Sequence, residues 1–153
     1  MIDKIVNPKE LRHWDGRIEL YWIYTSGEAG DKFFKALKEG KFLAAKCKKC
    51  GKVYFPPRMY CEKDFSETEY VEVSGEGKVR AFTIARLDIN EKPLEKPQIY
   101  AIIDIDGTNG CLVHLIDEIE PENVYVGMKV KPVLRSESER EGKITDILYF
   151  KPI

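Results

Sequence analysis

The strongest constraint on this chain is Cys47-Lys-Lys-Cys50-Gly51, followed ten residues later by Cys61-Glu-Lys-Asp64. Two ligand residues two apart, repeated once, is how a zinc ribbon presents four ligands to one ion. Gly51 suits the tight turn that lets both sulfurs of the first pair point inward. Asp64 stands where a second-knuckle cysteine is expected. A carboxylate oxygen is an admissible zinc ligand, though a harder one than thiolate. The candidate metal ligands are therefore Cys47, Cys50, Cys61 and Asp64. Two readings are open: a closed structural zinc site, or a metal-free ribbon with buried thiols.

At 153 residues the chain has room for one ordinary domain, or for a small metal-bound module joined to a larger one. The net charge of −1 supplies no global field towards nucleic acid or acidic membranes. Its distribution is uneven. Residues 1–70 carry 14 Lys+Arg against 11 Asp+Glu, and residues 71–153 carry 11 against 15. Between 46 and 63 the basic groups Lys46, Lys48, Lys49, Lys52, Arg58 and Lys63 face one acid, Glu62, so positive charge gathers on the knuckles. Met1-Ile-Asp-Lys-Ile opens no signal peptide, and no uninterrupted apolar stretch reaches membrane-spanning length. Three clustered cysteines and a lone Cys111 read as reduced thiols, and the expected compartment is the cytoplasm.

Along the chain, an aromatic segment (Trp14, Tyr21, Trp22, Tyr24) with a short helix near 10–14 leads to Asp31, read as the N-cap of a helix over about 32–39 that ends at Gly40. A short strand over 42–45 delivers Cys47. Pro56 and Pro57 exclude a paired strand between the knuckles. Ser74-Gly-Glu-Gly77 reads as a hinge. Beyond it, five strands are predicted over 78–87, 98–105, 111–116, 124–134 and 144–150, with Val79, Ala81, Thr83 and Ala85 on one face of the first. Five short strands without a long helix among them suggest a small closed barrel of the oligonucleotide/oligosaccharide-binding (OB) type. The organisation expected is a helical and aromatic segment over 1–40, a ribbon over 41–72 and a barrel over 73–153.

The run from Tyr24-Thr-Ser-Gly-Glu-Ala-Gly-Asp to Lys41, then Cys47-x-x-Cys50-Gly51, Phe55-Pro-Pro-Arg58 and Cys61, together with Val126-Gly-Met-Lys-Val-Lys-Pro-Val, resembles a prokaryotic family of zinc-ribbon plus OB-fold proteins that accompany thiolases and related condensing enzymes. The resemblance covers the chain from Tyr24 onward. It implies a mainly β protein with N-terminal helices, a rubredoxin-like zinc ribbon and a five-stranded OB barrel. It also implies a non-catalytic, acyl-CoA-associated subunit bound to a thiolase-like enzyme, or lying between that enzyme and a downstream synthase.

On that reading, Phe55 and Pro57 offer apolar walls for the pantetheine arm of CoA, and Lys48, Lys49, Lys52 and Arg58 meet its phosphates. The competing reading makes Phe55-Pro-Pro a packing joint and the lysines a solvated rim. Phe33, Phe34 and Leu37 read either as a partner-docking face or as ordinary core, whereas Trp14, Tyr21, Trp22 and Tyr24 favour a protein interface. His114 reads as a barrel-wall group and Cys111 as a buried, inert thiol. The rival function is single-stranded nucleic-acid binding, which both modules commonly perform. The net charge of the barrel half (11 basic against 15 acidic residues) opposes it.

Overall fold

The computed structural model describes residues 20–153. Trp14, His13 and the helix expected near 10–14 lie outside them. Helix α1 spans Gly27–Lys38, two short of Gly40 and five residues earlier at its start than Asp31 would place it. Asp31 is not its cap. It pairs with Lys35 one turn on, as Glu28 pairs with Lys32, and these i,i+4 pairs carry the helix back through Glu28 and Ala29. Its inner face buries Phe33 and Leu37.

Gly40 releases the chain into a three-stranded antiparallel ribbon. Strand β1 (Phe42–Cys47) lies between β2 (Val53–Tyr54) and β3 (Thr68–Val73). Five further strands, β4 (Gly77–Leu87), β5 (Pro93–Ile105), β6 (Cys111–Ile116), β7 (Lys129–Leu134) and β8 (Ile147–Pro152), close into a barrel in the order β4-β5-β6-β8-β7. The β6–β8 contact is parallel and the other pairings are antiparallel. This is the mainly β architecture of ribbon and OB barrel that the sequence led us to expect.

Several boundaries and faces differ from the sequence expectation for local reasons. A register shift between Val79 and Ala81 inserts one residue into β4. Beyond it the side-chain alternation inverts, so Phe82 and Ile84 join Val79 against the core while Ala81 and Thr83 turn outward. Strand β5 begins at Pro93 because Asp88 builds a tight hairpin, its Oδ1 accepting the amides of Asn90 and Lys92 at 2.8 Å each. Residues 124–128 turn about Gly127 before β7 starts. Residues Ile144–Asp146 form a single 3-10 turn ahead of β8.

The expected hinge at Ser74–Gly77 is instead a packed joint. A side chain at Gly75 would meet the Phe42 ring at 2.6 Å, and one at Gly77 would meet the Asp104 carbonyl at 2.1 Å. The β5–β6 turn locks the same joint. Asn109 donates its amide to the Val53 carbonyl (2.7 Å) and accepts the Val53 amide on Oδ1 (3.0 Å), so it continues the ribbon sheet with a barrel residue. Gly110 lies flat on the Phe55 backbone, where a Cβ would approach to 1.9 Å. One core follows from this. Phe33 and Leu37 of the helix, Phe42 and Phe55 of the ribbon, and Val79, Ile103, Val130 and Phe150 of the barrel form a single buried cluster. Phe33 and Leu37 are therefore corrected from docking residues to core, since the chain's own apolar surface covers them. Phe34 is half-buried against the same cluster.

Asp146 is the one buried charged side chain among the described residues. It organises the β7–β8 connection: Oδ1 accepts the amide of Glu141 (3.1 Å), and Oδ2 those of Gly142 (2.7 Å) and Lys143 (3.1 Å). Burial alone would push this carboxyl up, but the amides of Glu141, Lys143 and Gly142 outweigh it and hold the group below its ordinary value. The stability contributed is thus complete above the unfolded pKa and is lost as pH falls through the lower folded value. Asp146→Asn is expected to cost roughly 2–3 kcal/mol in urea unfolding at neutral pH, as charge-assisted bonds are lost. It should also flatten the decline in stability below about pH 4; an unchanged decline would show that this carboxylate carries none of it.

Candidate functional site

The metal candidates arise from two turns built alike. In the first, the Gly51 amide donates to the Cys47 carbonyl (3.0 Å) and Cys47 N–H to the Lys52 carbonyl (2.8 Å). In the second, the Phe65 amide donates to the Cys61 carbonyl (3.0 Å) and Cys61 N–H to the Ser66 carbonyl (2.9 Å). Both turns need a left-handed residue at the fifth position. Gly51 supplies it at φ 71°, and Phe65 is forced to φ 55°. The same side chain is 80 % exposed. A strained, exposed aromatic at a glycine position is a feature the sequence reading missed, although Cys-x-x-Cys-Gly set against Cys-x-x-Asp-Phe displays it.

The four ligand atoms converge. One each from Cys47, Cys50, Cys61 and Asp64 lie within 4.8 Å of one another. Cys50 Sγ is 3.6 Å from Cys61 Sγ, and Cys47 Sγ is 3.7 Å from Asp64 Oδ2. A tetrahedral zinc with Zn–S bonds of about 2.3 Å requires sulfur–sulfur edges of about 3.8 Å. The cage therefore fits that ion, with three sulfurs and one oxygen filling its coordination sphere.

The surroundings favour the deprotonated, metal-binding forms of Asp64 and Cys47, whereas Cys50 is raised: the Lys52 amide pulls it down, but the Cys47 and Cys61 thiols and burial outweigh it. Ser66 gives both its hydroxyl and its amide to Asp64 Oδ1 and holds that carboxyl below its usual range. When its single hydroxyl proton turns instead to Cys47 Sγ at 3.3 Å, Ser66 draws that thiol down to about 7, with the Cys50 amide adding to it. The Lys63 amide points at Cys61 Sγ (3.4 Å). The Tyr54 hydroxyl lies 3.2 Å from that sulfur, and this contact with burial pushes Tyr54 up to about 12, so it keeps its proton. Outer partners of this kind orient first ligands and tune the metal. Ser66 and Tyr54 were both missed as members of the site; their sequence spacing gives no signal, because the fold brings them in.

Beside the ribbon lies a cleft of about 320 Å³ at the joint with the barrel. It brings together three of the candidate CoA residues, Lys52, Phe55 and Arg58, with Asn109 and Cys111 from the barrel. Phe55 is 5 % exposed and wedged between Phe33 and Phe42, and Pro57 is buried. Lys52 and Arg58 share one counter-ion, Glu62. Lys48 and Lys49 are exposed on the first knuckle, away from the cleft lining. At the other end, Leu20, Tyr21, Trp22, Ile23 and Tyr24 are all exposed, Tyr21 at 92 % and Ile23 at 100 %, and Trp22 stacks on Tyr24 at 6.2 Å. Of the barrel aromatics Phe82, Tyr100 and Phe150 that nucleic-acid binding could use to stack on bases, Phe150 is fully buried, Phe82 half-buried and Tyr100 exposed.

Two family models match in succession: the ChsH2 rubredoxin-like zinc ribbon domain over residues 34–69, and the ChsH2 C-terminal OB-fold domain over 70–135. A protein of Methanocaldococcus jannaschii named as a DUF35 domain-containing scaffold protein is 36 % identical over 115 residues, covering 72 % of this chain and 81 % of its own length. The chain belongs to the DUF35 family. A second DUF35 scaffold protein, from Pyrococcus furiosus, is 32 % identical over 116 residues, or 74 % of this chain and 84 % of that one. The crystal structure of a DUF35 protein of unknown function from Sulfolobus solfataricus superposes with a TM-score of 0.66 at 31 % identity, covering 83 % of this chain and 87 % of that one. The fold is also that of a chain of the Ltp2–ChsH2(DUF35) aldolase, with a TM-score of 0.60 at 23 % identity over 79 % of this chain and 91 % of that one. Among the described residues no helix is long and apolar enough to cross a membrane.

If this DUF35 ribbon holds zinc, the purified protein should carry one ion per chain by elemental analysis, and cobalt exchange should give thiolate charge-transfer bands. Chelation should lower the melting temperature, since metal binding and ribbon folding are one equilibrium. Cys61→Ser should abolish retention and Asp64→Cys should strengthen it. An apoprotein with an unchanged melting temperature would favour the metal-free ribbon.

Proposed function

We propose that this DUF35 protein is a non-catalytic cytoplasmic subunit that holds a thiolase-type condensing enzyme and shelters the acyl-CoA it uses. The observation that carries this reading is the unbroken run Leu20–Tyr24. Five large apolar side chains in sequence stand exposed although the core beneath the adjoining helix is already complete. Such a surface is typical of a protein interface, and DUF35 relatives are named as scaffolds. Phe65 adds a second exposed aromatic on the ribbon, kept at a backbone angle that glycine would hold without strain.

In this account zinc is structural. Its four ligands are all protein groups, so its work is to fix the ribbon and the turn carrying Phe65. The cleft at the ribbon–barrel joint is the site proposed for the CoA end, with Lys52 and Arg58 meeting its phosphates and Phe55 forming the floor. Pro57 supports that floor from within, and Lys48 and Lys49 add charge on the approach. Glu62 bridges Lys52 and Arg58 but offsets only one of their two charges, so the pair keeps a net positive charge for an incoming phosphate. The protein's contribution to the reaction is then positioning and exclusion of water. Trp14 extends the aromatic interface in this proposal, and a downstream synthase is the second partner it would bridge.

Affinity capture from native lysate with the tagged protein tests the reading. The wild type should recover a thiolase-like enzyme. A variant combining Tyr21→Ser, Trp22→Ser and Tyr24→Ser should lose that enzyme while keeping its melting temperature, because these side chains lie outside the core. Equal recovery by both proteins would remove the aromatic run from the interface. Recovery of nucleic acid and its enzymes instead would sink the scaffold reading.

A further inference from the structure

The barrel wall is unevenly closed. Strand β5 pairs with β6 over Ile99–Asp104, and β7 pairs with β8 over Val130–Leu134, but β6 meets β8 at one residue pair, Ile116 and Phe150. Continued in that register, Val113 would pair with Ile147. Instead both residues line an open surface groove of about 490 Å³ between the two strands. Its walls are Val113, Leu115, Ile144, Ile147 and Leu148, with Tyr100 at one end. Three polar side chains, Arg135, His114 and Thr145, complete the lining. Arg135 is held at the rim, its Nε donating to the Thr145 carbonyl (3.0 Å) and its backbone amide to the Asp146 carbonyl (2.8 Å). No ion pair engages its guanidinium among the described residues, while the nearby Glu141 is tied to Lys143 and Asp146 to three amides. His114 packs edge-on against Phe150 with ring centres 5.7 Å apart, and its Nδ1 is buried with no hydrogen-bond partner among the described residues. Burial lowers its pKa. Buried polar atoms are rarely left unpaired without a reason.

We propose that this seam binds a small apolar carboxylic acid, with the hydrocarbon body between β6 and β8 and the carboxylate on Arg135. The volume and the mainly apolar lining with few polar groups are those of a small-molecule site. A guanidinium anchored through Nε keeps its terminal N–H pair for the bidentate geometry that a carboxylate matches. The ring of His114 lies under the bound chain and reports its arrival, while its Nδ1 stays buried beneath the lining. The site shares no residue with the ribbon cleft and does not depend on the scaffold reading.

Titration of the isotopically labelled full chain with hexanoate and with hexanamide, followed by amide and imidazole NMR signals, tests the assignment. Hexanoate should give saturable shifts confined to β6, β8 and residues 144–148, including the His114 ring, and hexanamide should bind about tenfold more weakly. Arg135→Met should remove that preference. Val113→Glu, at a largely exposed wall position that leaves the loop intact, should abolish hexanoate binding by placing a like charge in the groove. The proposal is overturned by unsaturable or absent shifts, by equal binding of acid and amide, by indifference to Val113→Glu, or by shifts at the Lys52–Glu62 cleft instead.

Discussion

Everything else in this molecule depends on the burial of Phe55 at the meeting point of its three parts. The ring is packed by Phe33 from the helix and Phe42 from the ribbon, and its backbone is covered by Gly110 from the barrel. A ribbon with Cys47, Tyr54 and Cys61 as its own buried cluster is too small to hold an orientation by itself. Through Phe55 and the Asn109–Val53 hydrogen bonds it borrows the barrel's core. The knuckle turns and the ribbon cleft are thereby fixed relative to one another, which is what a docking platform requires.

A metal held by the four converging ligands would divide the work of ordering with the core. The ligands draw together residues 47–66, whose surface is dense in lysine. Ser66 bonds Asp64, and Tyr54 contacts Cys61. With three sulfurs and one carboxylate oxygen, the site resembles a structural centre whose last ligand is harder than usual. The compensation lies in the two bonds that Ser66 makes to that carboxylate.

Much of this was legible in the sequence. The ligand spacing announced the ribbon, and the succession of short strands announced the barrel. The four candidate ligands come together in space, as do Lys52, Phe55 and Arg58. What the sequence concealed was tertiary. The bulge near Arg80 inverts the face of β4, and no local pattern signals it. The glycines at 75 and 77 read as a hinge because glycine marks both flexible linkers and close approaches; here Phe42 and the Asp104 carbonyl occupy the space a side chain would need. Phe33 and Leu37 had the spacing of an interface and turned out to be core, because the helix had a barrel loop and a ribbon to cover. Phe65 is the reverse case, since only the matching geometry of the two knuckles shows that its backbone is strained.

The central physical claim is that helix, ribbon and barrel are one unit with a shared core, and native-state hydrogen exchange on the zinc-loaded protein tests it most directly. The account predicts that the amides of Val53 and Asn109, and those of β1 paired with β3, exchange at the rate of global unfolding, together with the core strands of the barrel. Ribbon amides exchanging far faster than those of β5 and β7 would show a separately opening module, and would contradict the rigid platform on which the functional reading stands.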